Sequence, residues 1–325
     1  MNNKPRFKFA ILMLSLVLVA CSGGSAEAGC PEIDNREINV VATTPMIGEF
    51  VSQVGGDNIN LTVLMPPEAD PHTYDPAPQD AGKIADADLV FYTGLKYEPA
   101  VLIKLLENSA CSAEVLAEVG ENVFPIEFKE GGHDDHDEEG HDDHAGHDHG
   151  AYDPHFWFDP NRVAYAAEYI ESKLVEFDPS NASDYEAAGK AYVTELKGLV
   201  SQVSELISTI PSQNRKLITT HESLGYLEAK FGLEILSTII PSVDSANEIS
   251  PSQLVGVIDV IEDNNVKAIF IEAEAPSVYA ETIVAETGIK AVEGLWVETL
   301  KEGQSYPEFL FEAVELIVEN LKNTD

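Results

Sequence analysis

Histidine and carboxylate side chains are the main chemical resource of this sequence. Of its nine histidines, six fall within HDDHDEEGHDDHAGHDHG, from His133 to Gly150: His133, His136, His141, His144, His147 and His149. The other three stand apart, His72 in EADPHTYDP, His155 in YDPHFWFDP and His221 in LITTHESLGY. Neutral imidazoles suit zinc and other late divalent ions, and three of them with one carboxylate complete a tetrahedral shell. Two groups of histidines therefore compete for the role of principal metal site.

Backbone order separates the two groups. The tract has no apolar residue beyond one alanine, so nothing in it offsets the entropy of ordering. It is expected to be a mobile loop over residues 130–151 whose metal sites are weak and plural. Such a loop would collect zinc near a cleft mouth or sense its abundance. His72 and His155 instead share a context, Asp-Pro-His followed by an aromatic two residues on and then by Asp-Pro. Proline fixes its own φ and biases the preceding Asp70 or Asp153 to extended geometry, which prearranges the backbone around a ligand. All three isolated histidines come just after a predicted strand or just before a predicted helix, where α/β sheets hold their ligands.

The fourth ligand is expected from the second half of the chain. Glu298 in LWVETLKEG follows the last predicted strand as the histidines follow theirs, and is the first choice. Glu222 and Glu272 compete with it. Glu222, adjacent to His221, is better placed as a supporting carboxylate or an alternative ligand.

The elements that must position these residues alternate along the chain. INVVATTP from Ile38, INLTVLMP from Ile59, DLVFYTG from Asp88 and VFPIEF from Val123 read as strands, with MIGEFVSQVGG and APQDAGKIADA as intervening helices. Asp159 and Pro160 supply the N-cap and first-turn proline of a helix through about Glu176. A second helix, proline-free from near Ser183 to Ile210, is roughly 40 Å long at 1.5 Å per residue. KLITTH, EILSTIIP, VKAIFIEAE and IKAVEGLWV then repeat the strand pattern. The expected fold is α/β, with two lobes of mainly parallel sheet flanked by helices, joined by one long rigid helix, and metal in the cleft between them. Residues 37–180 form the first lobe, 181–210 the linking helix and 211–325 the second lobe.

Residues 1–20 read as a signal segment: Lys4, Arg6 and Lys8 precede a short apolar run ending in LVAC. That ending resembles the lipobox at which bacterial lipoproteins are cleaved and acylated, which makes Cys21 the lipidated first residue and residues 21–36 a flexible tether. No other segment is long and apolar enough to span a membrane. Cys30 and Cys111 remain, an even pair in a compartment that permits disulfides, with a bridge and two free thiols both open. The formal charge of −38 repels phosphate backbones, so nucleic acid is a poor partner.

Taken together, the lipobox, DPHTYDP, DPHFWFDP, THESLGY, NEISPSQL and WVETL resemble the metal-binding lipoproteins of ABC importers for zinc or manganese, solute-binding protein family 9 in cluster A-I. The similarity runs from about Glu37 to Leu321. It implies a monomer, lipid-anchored outside the cytoplasm in a periplasm or at a cell surface, that holds one divalent ion and hands it to a membrane permease driven by a cytoplasmic ATPase. It also implies that His72, His155 and His221 match three ligand motifs. Glu298 falls where the family often has aspartate, which leaves a water as the other candidate for that position. Members with a histidine-rich insertion are typically zinc importers, and manganese members often carry a carboxylate at the position of His221. Zn2+ is thus the expected cargo, with Mn2+ or Fe2+ as the alternative.

A metallohydrolase would use the same histidines, but the chain has no HExxH, GxSxG or glycine-rich phosphate loop, so it is expected not to be an enzyme. A surface adhesion lipoprotein with a structural metal would lose that metal only on unfolding.

Overall fold

The computed structural model describes residues 30, 33, 36–128, 152–264, 266–274 and 278–322. The signal segment, Cys21 and the histidine-rich tract lie outside the described residues. The first lobe is built on strands β1 (Ile38–Ala42), β2 (Ile59–Val63), β3 (Leu89–Tyr92) and β4 (Leu116–Glu118), and the second on β5 (Lys216–His221), β6 (Glu234–Ile240), β7 (Ala268–Glu272) and β8 (Lys290–Leu295). Their spatial orders, β2-β1-β3-β4 and β6-β5-β7-β8, are the same topology used twice. Every pairing within them is parallel. In each sheet the crossovers leave the first strand to opposite sides, which opens a crevice at the strands' carboxyl ends.

Local chemistry starts the helices. The Thr44 hydroxyl accepts from the Ile47 N–H at 3.2 Å and Pro45 occupies the first turn of α1 (Pro45–Gly55). Gly56, with φ of 54°, ends it in a conformation that costs glycine nothing. Helices α2 (Asp80–Ala85) and α3 (Ala100–Ser109) complete the first lobe. Asp159 caps α4 (Pro160–Phe177) by accepting from Asn161 N–H at 2.9 Å, as the Asp-Pro pair predicts. The long helix α5 spans Ala182–Ser208 and buries one stripe: Tyr185, Gly189, Tyr192, Leu196, Leu199, Val203 and Ile207. A Cβ at Gly189 would sit 2.1 Å from Glu171 Oε2 on α4, so a larger residue there would require the Glu171 carboxylate to move aside. Helices α6 (Gly225–Phe231), α7 (Pro251–Asn264), α8 (Val278–Thr287) and α9 (Tyr306–Leu321) belong to the second lobe.

One apolar core joins the lobes. It runs from Ile38, Val40 and Ala42 through Phe50, Leu174, Leu196 and Phe309 to Leu217, Phe270 and Leu295. Side chains alternate across each strand, so Ile218, Ile269 and Ile271 face the other way and pack with Val257, Ile261 and Ile283. An equivalent outer cluster in the first lobe holds Val41, Val90, Ile84 and Leu102. The long helix is therefore embedded in the core along its length and is more than a bare strut.

VFPIEF is not the fourth strand of the first sheet. That strand is Leu116–Glu118, while Gly120–Val123 form a 3-10 turn and Phe124 is left-handed. Pro125 explains the difference, since it cannot donate to a ladder. Glu127 makes only an isolated antiparallel bridge to Tyr152. Cys30 and Cys111 are joined in a disulfide, closing a separation of 81 residues and fixing the segment before β1 to the end of α3.

Candidate metal centre

Four side chains from four separate segments converge between the lobes. His72 lies in a short 3-10 turn after β2, His155 just before the turn leading to α4, His221 ends β5, and Glu298 follows β8. Their potential ligand atoms all lie within 4.8 Å of one another. Glu298 Oε1 is the hub: it is 3.4 Å from His72 Nε2, 3.3 Å from His155 Nε2 and 2.8 Å from His221 Nε2. A zinc ion at 2.0–2.1 Å from each ligand of a tetrahedron sets ligand atoms about 3.3 Å apart, close to two of these separations. Glu298 Oε2 is buried without a hydrogen-bond partner, and His72 Nε2 and His221 Nε2 have none beyond their close approach to Glu298 Oε1. Buried polar atoms are rarely left so, and their convergence fits groups aimed at a common ion better than at each other.

The Asp-Pro-His motifs act through an aspartate turn. Asp70 Oδ1 accepts from the His72 N–H at 3.0 Å, and Asp153 Oδ1 from the His155 N–H at 2.8 Å. Asp153 Oδ1 is also 2.8 Å from His155 Nδ1. An ionised carboxylate only accepts, so in the neutral ring Nδ1 carries the hydrogen and Nε2 keeps a lone pair for metal. Glu272 does the same for His221: its Oε2 is 2.5 Å from Nδ1, and its Oε1 accepts from the His221 N–H at 3.2 Å and from the Ser223 hydroxyl at 3.0 Å.

Glu222, the carboxylate expected to support the site, accepts from the Thr238 hydroxyl at 3.1 Å and is not among the four. The supporting carboxylate is Glu272, because β7 pairs directly with β5 and ends beside His221. No local pattern in the sequence signals this contact. The segment carrying Glu298 is held from both lobes. Glu274 accepts from the N–H groups of Val297 and Glu298, each at 3.0 Å, and the Tyr97 hydroxyl donates to the Glu298 carbonyl at 2.8 Å. Trp157 Nε1–H donates to the Val297 carbonyl at 2.8 Å.

Electrostatics make the cluster a single charged unit. Burial alone would raise the Glu298 carboxyl, but His155, His72 and His221 hold it well below the ordinary carboxylate range. Burial likewise lowers the His155 imidazolium, yet Glu298 and then Asp153 outweigh it and raise it to about 9. His221 is raised well above its ordinary value against burial, by Glu272 and Glu298. The Glu274 carboxyl is pushed up to about 8 by burial and by the charge on Glu298. Protons and a divalent cation thus compete for the same nitrogens.

The profile of the ZnuA family, described as zinc-uptake complex component A, periplasmic, matches residues 40–320. The chain is 29% identical over 327 aligned positions to the metal ABC transporter substrate-binding lipoprotein ScbA of Streptococcus cristatus, covering 98% of this chain and 99% of that one. It is 28% identical to the manganese ABC transporter substrate-binding lipoprotein ScaA of Streptococcus gordonii, with 98% and 99% covered. Among solved structures, the periplasmic zinc-binding protein TroA of Treponema pallidum superposes with a TM-score of 0.73 at 22% identity, over 88% of this chain and 100% of TroA, a likeness of fold.

Proposed function

The chain belongs to the ZnuA family of zinc-uptake components, and on that premise we propose that it captures Zn2+ outside the cytoplasm and delivers it to an ABC permease. The observation that carries this reading is the convergence of three histidine Nε2 atoms on one buried carboxylate oxygen. His72, His155, His221 and Glu298 are the proposed ligands, and the mechanism is ligand exchange without chemical conversion. A chain of this family serves transport, and no catalytic step is assigned to it. Cys21 is the proposed lipid anchor, which holds a monomer near the permease and its ATPase.

The relatives' names divide over cargo: metal for ScbA, manganese for ScaA and zinc for TroA. The donor set favours zinc, because three imidazoles with one carboxylate suit a tetrahedral borderline ion while manganese prefers more oxygen. Manganese is the second reading, supported by the names of relatives such as ScaA.

Calorimetric titration of the two metals, on the chain with and without residues 133–150, separates these readings. One tight zinc site is expected to survive the deletion while weak sites disappear with the tract. Tight manganese with weak zinc would change the cargo, and loss of tight binding on deletion would move the site into the tract. If the metal were structural, its removal by chelator would unfold the chain; a cargo metal is expected to leave a folded protein. Replacing a carboxylate that orients a ligand has a smaller effect than replacing the ligand. Glu272→Gln and Asp153→Asn are each expected to weaken zinc binding by about 10–100-fold at unchanged stoichiometry, measured by chelator competition.

A further inference from the structure

Three of the four cluster side chains are sealed: those of His155, His221 and Glu298 have no exposure, whereas His72 retains 3%. Four of the cavities on the described surface measure about 560 to 690 Å³. One, of about 690 Å³, is walled by His72; the other three are walled by none of the four. Tyr97 shares that wall, packed edge-on against the His72 ring at 5.1 Å between centroids. Asp244 contributes from the second lobe, next to Ser245, whose hydroxyl donates to Asp70 Oδ2 at 3.3 Å. The cavity therefore lies where the two lobes meet beside His72.

We propose that this cavity is the port through which the ion reaches and leaves the cluster, with His72 the first ligand it meets and the last it leaves. The proposal rests on the assignment of the four residues as the metal site. Its physical basis is stepwise exchange: a hydrated cation replaces its waters one ligand at a time, and His72 is the one ligand whose side chain keeps solvent contact, although its Nε2 is itself buried. His72 Nε2 has no hydrogen-bond partner, and its 3.4 Å approach to Glu298 Oε1, which it would have to give up, is the longest of the three. Glu107, Glu118 and Asp244 stand in the wall against Lys96 and Lys104. The carboxylates enrich cations at the opening, while the two ammonium groups temper the field.

A plug at the opening tests this directly. Ala100 is exposed in the cavity wall at the start of α3 and is not in the metal cluster. In the full chain, Ala100→Trp is expected to slow zinc association and chelator-driven release by about tenfold each, because one barrier governs both directions. The dissociation constant is expected to stay within twofold, since the bound and free end states are untouched. Lys104→Trp, on the same exposed helix face, is the second variant should the first not fold. Ser52→Trp, in the cavity beside α1, is the control and is expected to leave both rates unchanged. Unchanged rates in a folded port variant that keeps its tight site would overturn the port and leave the metal cluster standing. Equal slowing by Ser52→Trp would also overturn it. If His155→Ala left zinc binding intact, the cluster assignment itself would fail, and the port with it.

Discussion

Replacing Glu298 with alanine is expected to weaken zinc binding by about two to three orders of magnitude. Apparent binding energies of about 10–16 kcal/mol for four-ligand zinc sites give roughly 3 kcal/mol or more per ligand, and each 1.4 kcal/mol is tenfold. Glu298 should lie at the upper end, because its Oε1 faces all three Nε2 atoms and its charge is the only acidic one within the cluster. A second readout separates this role from general destabilisation. Glu298 is the foremost cause raising the His155 imidazolium to about 9, so its removal is expected to bring that value down, with burial opposing the remaining pull of Asp153. Proton-detected titration of the His155 ring, alongside zinc titration by chelator competition, measures both. An affinity within threefold of the unaltered protein would mean that water fills the fourth position.

The second large effect is the pH dependence of affinity. A histidine with an unperturbed pKa near 6.5 would compete with zinc only below that pH. The cluster changes the window. His155 is raised to about 9 and His221 also lies above its ordinary value, so at neutral pH zinc must displace the Nε2 protons that face Glu298, while Asp153 and Glu272 keep the Nδ1 hydrogens. Linkage fixes the sign: affinity is highest above the raised pKa and falls as pH drops through it. For one displaced proton the loss between pH 9 and pH 6 is nearly three decades, about tenfold per pH unit, and steeper if His221 contributes a second. Competition titrations at several pH values, with proton release followed in weakly buffered solution, check this. A flat affinity over that range would remove the histidines from the site.

Much of the molecule was legible because its signals are local. Asp-Pro at 159–160 announces the start of α4, the proline-free apolar periodicity announces α5, and β-branched runs mark seven of the eight strands. VFPIEF misled because its composition is strand-like while Pro125 forbids ladder pairing. The true fourth strand, Leu116–Glu118, has only three residues, too few for alternation to show. The isolated histidines stand out by their context, and Glu298 by its place after the last strand.

The sequence by itself determined which residues could bind metal and which backbone would hold them rigidly, since aspartate turns, prolines and strand ends are encoded within a few residues. Tertiary structure decided which carboxylate supports which histidine, how far the proton affinities move and which ligand meets solvent. Glu272 reaches His221 only because β7 lies beside β5 in space, 51 positions further along the chain. Pairing across such separations is set by the packing of the whole sheet. The shifts arise from bringing one carboxylate and three imidazoles together in a core shared by both lobes, where low polarity strengthens their mutual charge.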